Sequence, residues 1–338
     1  MKKQILQIIR FLVFLSIALF LLFLAFRGID LSQVWSDLKH ARYGWLLLTL
    51  PIGLLSHLFR AWRWNLLIEP LGYQPRLTHT FYAVLSGYLA NLALPRMGEV
   101  VRCGSLTKTD KVPFDSLLGT VIVERIVDML MLLLLMVLTF FIRIRFFGEF
   151  FKSHVFRPLA AKLSEMFSHT LTLVIIVLVG VASIVLLKIF WKKIRHIGIV
   201  RKIRDFVKGM IDGIRTIARM KHNRAFLLAT FLIWLMYFLT SWLVLYMLPE
   251  TSGMSPVDGL FLLVVGSIGM VIPVQGGIGA YHWIVSSALT LYGISRETGL
   301  AVATLAHESQ TLLILLAGAF SMIMVVLIRN KKRKPSAL

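Results

Sequence analysis

An all-α, polytopic membrane fold is predicted, and three observations predict it. The 338-residue chain is 58% hydrophobic, with a mean hydropathy of +0.80. A soluble domain holds roughly 45–50% apolar residues. Several apolar runs reach ~20 residues, the length a helix needs to cross the hydrocarbon core. Two further runs are interrupted by proline and glycine at related places in the two halves, the pattern of discontinuous transporter helices. The short alternating segments of a membrane β-barrel do not occur. The expected architecture is about six full spans plus two broken re-entrant hairpins in an inverted repeat. Residues 1–170 form the first half of a single integral-membrane domain, 171–330 the second, and 331–338 a basic tail.

The spans are placed at residues 5–26, 45–64, 117–142, 171–191, 225–248 and 300–328. The first follows Met1-Lys2-Lys3 and is longer than a signal-peptide core. Arg27-Gly28-Ile29-Asp30 is a poor small-residue cleavage site, so an uncleaved span is expected. Trp45, Trp62, Trp64, Trp191 and Tyr246 lie near span ends, as interfacial anchors do. The interrupted runs are 79–106 and 257–292.

Orientation follows from Lys/Arg bias. The loop 192–224 carries eleven basic residues from Lys192 to Arg224, and the tail adds Arg329, Lys331, Lys332, Arg333 and Lys334. Both are assigned to the cytoplasm, with both termini. The loop 249–256 has no Lys or Arg and faces outward. The broken runs then enter from opposite sides, as an inverted repeat requires. The loop 143–169, outside in this scheme, runs against the bias with Arg143, Arg145, Lys152, Arg157 and Lys162. Residues 200–220 repeat apolar side chains at helical spacing with a basic opposite face, which suits an interfacial helix or a helical linker.

The net charge is +21, from 37 Lys+Arg against 16 Asp+Glu. In a soluble protein this would suggest nucleic acid. Here the basic residues sit between apolar runs and face anionic lipid instead, so no nucleic-acid partner is expected. The single cysteine, Cys103, excludes an intramolecular disulfide. Neither a metal-ligand spacing nor a cofactor motif is present. G-x-x-x-x-G-K-[ST], H-E-x-x-H and G-x-S-x-G are missing, and no extramembrane segment is long enough for a catalytic domain. The chain is therefore expected not to be an enzyme.

The chemistry concentrates at a few places. Asn91-Leu92-Ala93-Leu94-Pro95-Arg96-Met97-Gly98-Glu99-Val100-Val101-Arg102 ends an apolar run with a break and two ionisable residues three apart. Backbone groups freed at membrane depth are tolerated only where protein or a watery cavity covers them, so this break reads as a cavity lining. Pro273, Gly276, Gly277 and Gly279 repeat the device in the second half. Glycines let backbone N–H groups approach an anion, and the helix that follows adds its positive end. The two breaks are expected to meet in space. Arg60 and Arg63 flank Trp62 and precede Trp64; they read either as snorkelling side chains or as a phosphate clamp. Glu124, Arg125 and Asp128 sit inside an apolar run, where a charge costs about 2.5–3.5 kcal/mol on insertion scales. Three charges in five positions exceed one structural pair to Arg125 or Arg102, which favours a binding or proton role. Of the neighbours His307 and Glu308 only one is expected to line a cavity, and Glu308 is preferred. His282 and His307 read as packing residues.

Together Arg60-x-x-Arg63-Trp64, the Asn91 to Arg102 stretch, Glu124-Arg125-x-x-Asp128 and Pro273-x-x-Gly276-Gly277-x-Gly279 resemble the flippase-like membrane family. This is the transmembrane region of lysylphosphatidylglycerol synthases, also called UPF0104. The resemblance covers nearly the whole chain. It implies movement of a phospholipid between leaflets, with aminoacyl transfer left to a separate soluble domain that this sequence is expected to lack. Where many members carry Glu after the Gly-rich turn, this chain has His282. The function expected is translocation of a phospholipid or lipid-linked anion across the bacterial inner membrane. An integral-membrane transferase with Glu99 or Asp128 as base, or a non-transporting membrane partner protein, are the alternatives. Expected partners are the lipid substrate and anionic membrane lipids.

Overall fold

The structure, a computed structural model, describes residues 2–94, 97–144, 220–272 and 274–333. The expected span 171–191 lies outside them, as do Pro95, Pro273 and nearly all of the segments 143–169 and 200–220. Two compact units emerge, Met1–Leu132 with Ile217–Leu338, and Leu133–Thr216. The candidate site lies wholly in the first.

The described residues form helices and no strand. In order these are α1 (Lys2–Phe26), α2 (Leu31–His40), α3 (Tyr43–Ile68), α4 (Leu77–Ala93), α5 (Met97–Asp110), α6 (Phe114–Ile142), α7 (Asn223–Val244), α8 (Pro256–Val271), α9 (Ala280–Leu289) and α10 (Arg296–Arg333). Among the described residues three segments are long and apolar enough to cross a membrane: Tyr43–Leu71, Asn223–Met247 and Arg296–Lys331. A fourth is reached if Leu15–Phe26 and Leu31–His40, bent by 87°, count as one span. The bend has a local cause. Gly28 takes φ +73°, and Asp30 restarts the helix by accepting the Ser32 N–H at 2.9 Å.

The long helices are patterned inside out relative to a soluble bundle. The buried side of α3 carries Thr49, Gly53, Ser56, His57, Arg60 and Arg63, whereas Leu47, Leu48 and Leu55 are exposed. Lipid tails are as apolar as leucine, so only packing and hydrogen bonding reward the inward face. Small residues on that face admit close neighbours. A side chain at Gly53 would collide with Gln310 of α10. Trp64, Ile68, Val84, Leu106, Leu117 and Phe226 close an apolar core shared by α3, α4, α5, α6 and α7.

Both interrupted runs are helix–break–helix units. In the first, α4 and α5 pack against each other. The break is secured by Asn91, whose Oδ1 accepts the Gly98 N–H at 2.7 Å and so satisfies one open donor at the start of α5. In the second, α8 opens on Ser255, whose N–H and hydroxyl both donate to Asp258 at 2.7 Å. It ends before a short 3-10 turn, Gln275–Gly277, and α9 follows. Gly276, Gly277 and Gly279 all adopt positive φ, at 57°, 80° and 80°. This is a left-handed path that glycine takes without a Cβ penalty. The turn packs on α4 and α1.

Candidate functional site

The inward face of α3 carries Arg60 and Arg63 to the middle of a charge cluster. Arg60 is 4% exposed and Arg63 0%, so neither snorkels to an interface. Their partners come from α6. One turn separates Glu124 and Asp128, and both project at the same two guanidinium groups. Arg60 Nη1 donates to Glu124 Oε1 and, at 2.8 Å, to Asp128 Oδ2. Arg63 Nη2 donates to Asp128 Oδ1 at 2.7 Å and to Glu124 Oε1 at 3.2 Å. Arg102 of α5 donates to Glu124 Oε2 at 2.7 Å. Its guanidinium carbon also lies 4.5 Å from the Trp64 ring centroid, a cation–π contact. Tyr237 of α7 takes the second Arg60 amino group at 2.9 Å, and Thr120 fixes Trp64 through its Nε1 at 2.8 Å.

Three buried guanidiniums thus converge on the buried Glu124 and the partly exposed Asp128, and one positive charge is left over. The Nε atoms of Arg60, Arg63 and Arg102 are buried without a hydrogen-bond partner. A buried unsatisfied donor costs about 1–3 kcal/mol. The cluster therefore carries one uncompensated positive charge and three unpaired donors.

Arg125 does not join this cluster. It lies on a different side of α6 and donates to Glu99 Oε1 at 2.7 Å. Of the two partners sequence spacing suggested for the α6 acids, Arg102 is used and Arg125 is not. Successive residues on a helix diverge by ~100°, so Arg125 cannot follow Glu124 inward.

The second break builds its own polar cluster. His307 of α10 donates through Nε2 to the Gly276 carbonyl at 2.7 Å. Its Nδ1 lies 3.0 Å from Glu308 Oε1, and His282 Nε2 of α9 lies 3.6 Å from the same oxygen. A Cβ on Gly277 would meet Met270 and come within 3.6 Å of His307 Nε2. Gly279 faces α1 instead, where a Cβ would strike Leu22 N at 2.6 Å and Ala18 O at 2.7 Å. Glu308, the preferred one of the two neighbours, turns its carboxylate onto the His307 ring beside it. His282 and His307, read as packing residues, belong to this cluster as well. The signal that would have found His282 is a contact across 25 positions, which helical periodicity does not register.

The last turn of α4 touches the second break. Leu92 Cδ2, one residue past Asn91, lies 3.0 Å from the point where a Gly276 Cβ would stand. Among the described residues no hydrogen bond or ion pair joins the arginine cluster to the histidine cluster, so the expected residues fall into two neighbouring groups.

Comparison with known proteins gives the affiliation. Residues 7–318 match the family described as "Lysylphosphatidylglycerol synthase TM region". The UPF0104 membrane protein MJ1595 of Methanocaldococcus jannaschii is 31% identical over 130 residues, which cover 38% of this chain and 36% of that protein. The match thus spans about a third of the relative's length. No solved structure matches. The family name corrects the expectation that the chain is not an enzyme: it stands in a family associated with a synthase. The missing nucleotide, zinc and nucleophile motifs exclude only the chemistries that use those motifs.

Proposed function

The chain belongs to the lysylphosphatidylglycerol synthase transmembrane-region family, and from that premise we propose that it translocates a phospholipid or lipid-linked anion across the bilayer. The observation that carries this reading is the excess buried charge. Arg60, Arg63 and Arg102 outnumber Glu124 and Asp128, and each arginine keeps an unpartnered Nε donor. Guanidinium donors in a fixed fork match phosphate oxygens, and Arg is weakly hydrated enough to serve inside a membrane. Asn91 and Gly98 hold the adjoining break, Glu99 and Arg125 its outer edge, and Gly276, Gly277 and Glu308 the facing tip. Pro95 and Pro273 are assigned to the same breaks. Gly279 holds the tip on α1. The location proposed is the inner membrane of a bacterium, with both termini and the basic loop 192–224 in the cytoplasm.

The synthase name favours a second reading, a membrane region that acts on a lipid-linked substrate as part of a transferase. Reconstitution separates the two. In vesicles loaded with fluorescent phosphatidylglycerol, translocation predicts faster loss of inner-leaflet probe protection than in empty vesicles. Asp128→Asn is expected to abolish that gain. Product formed in detergent micelles, where no leaflets exist, with no leaflet exchange in vesicles, would overturn the translocation reading in favour of the transferase.

A further inference from the structure

We propose that His282, His307 and Glu308 form a binding site for a divalent transition-metal ion of the zinc type. Sequence spacing gives no hint of such a site, and the proposal does not depend on the translocation reading.

The argument starts from one hydrogen bond. The Gly276 carbonyl has no proton to give, so the 2.7 Å contact to His307 Nε2 places the ring proton on Nε2. With the ring proton on Nε2, Nδ1 presents a lone pair 3.0 Å from Glu308 Oε1 and 3.5 Å from the Thr311 hydroxyl. Two acceptors at that separation repel unless a positive species lies between them. His282 adds a third donor atom, with Nε2 3.6 Å from the same carboxylate oxygen. That histidine is 4% exposed, and its Nδ1 is buried without a partner.

The spacings fit an ion. Zinc–nitrogen and zinc–oxygen bonds of about 2.0–2.2 Å in tetrahedral geometry put ligand atoms roughly 3.3–3.5 Å apart. Two of the three separations bracket that value at 3.0 and 3.6 Å. No two of the ligand atoms are more than 4.8 Å apart, and the third separation, between the two histidine nitrogens, would close by a small turn of the imidazole rings. Two imidazoles and one carboxylate select zinc and its neighbours over magnesium or calcium, which prefer all-oxygen shells. The His307–Gly276 bond is the outer contact that metal-binding histidines use to fix tautomer and ring orientation. Glu308 is 46% exposed at the side chain, which provides a route in and leaves a coordination position open. A bound ion would join α9 and α10 directly and hold the Gln275–Gly277 turn through His307.

The test uses the full chain in nanodiscs, stripped with a chelator and dialysed against Zn2+ or Mg2+. Bound metal is counted by plasma mass spectrometry. The expected result is about one Zn2+ per chain and no retained Mg2+, with affinity at least ~10-fold weaker in His282→Ala and in Glu308→Gln. His222→Ala, on a histidine distant in sequence, is expected to bind as the wild type does. Co2+ substitution gives a second readout that survives poor yield of a variant. Wild-type protein should show the visible absorption of a nitrogen- and oxygen-ligated ion, and Zn2+ should bleach it. Substoichiometric Zn2+ in the wild type, or equal Zn2+ in wild type and both variants, would overturn the proposal. A proton shared between His307 and Glu308 would then fill the gap.

Discussion

Neutralising Glu124 is the perturbation that most directly tests the arginine cluster. Glu124 is fully buried and accepts from three guanidiniums, Arg60 and Arg63 at Oε1 and Arg102 at Oε2. Glu124→Gln keeps the shape and removes the charge. Its amide nitrogen must then face at least one arginine donor, and three guanidiniums are left against one carboxylate. Breaking a buried ion pair from one side costs about 3–5 kcal/mol, because the surviving charge stays buried and unpaired. That corresponds to a loss of roughly 10²- to 10³-fold or more in the folding equilibrium, at 1.4 kcal/mol per factor of ten. The assay is denaturant unfolding of the protein in detergent micelles, followed by tryptophan fluorescence, since Trp64 packs on Arg102. A large drop in midpoint is expected. A change under ~1 kcal/mol would refute the reasoning, because it would mean that water or counter-ions already screen the cluster.

Three other outcomes follow from the geometry. Arg125→Gln is expected to change stability by less than ~1 kcal/mol in the same assay, because the Arg125 side chain is 49% exposed and exposed pairs contribute little. Gly98→Ala places a Cβ against the Gly87 carbonyl and the Asn91 side chain. Since that carbonyl is backbone, α4 and α5 must part, and a loss of about 1–3 kcal/mol should appear together with loss of lipid exchange in vesicles. For topology, single cysteines at positions 202 and 332, with Cys103 replaced, should resist an impermeant thiol reagent added to intact cells; labelling of either would reverse the charge-based orientation.

The extent to which the chain could be read in advance depended on whether a feature is local. The expected run 45–64 became α3, Tyr43–Ile68, and 117–142 became α6, Phe114–Ile142, since apolar length is written in consecutive residues. The break before Gly98 was legible for the same reason. The direction of Arg60 and Arg63 was not. A basic pair beside two tryptophans fits a membrane interface equally well, and only the burial of α3's small and polar stripe assigns it inward. Ser56, His57, Arg60 and Arg63 do share a helical face, so phase carried the information while composition masked it. The pairing of Arg125 with Glu99 and the convergence of His282 on Glu308 are tertiary facts. Each joins residues 26 apart, and nothing in helical spacing specifies which helices become neighbours.

The contacts between α5 and α6 have an electrical consequence. The two helices are joined by two ion pairs of reversed polarity, Arg102 with Glu124 and Glu99 with Arg125. From α5 one positive and one negative group are offered a turn apart, and α6 answers with their opposites at adjacent positions. A slip of α5 by one helical turn, about 5.4 Å, would bring Glu99 toward the place of Arg102 and set carboxylate against carboxylate. Polarity thus works as a key that admits one register between α5 and α6. The same arrangement balances the arm. These two side chains together carry no net charge, so a movement of α5 along the membrane normal transports none through them. Any sensitivity of such a step to membrane potential, worth about 2.3 kcal/mol per charge per 100 mV, would then be a property of the cargo rather than of this pair.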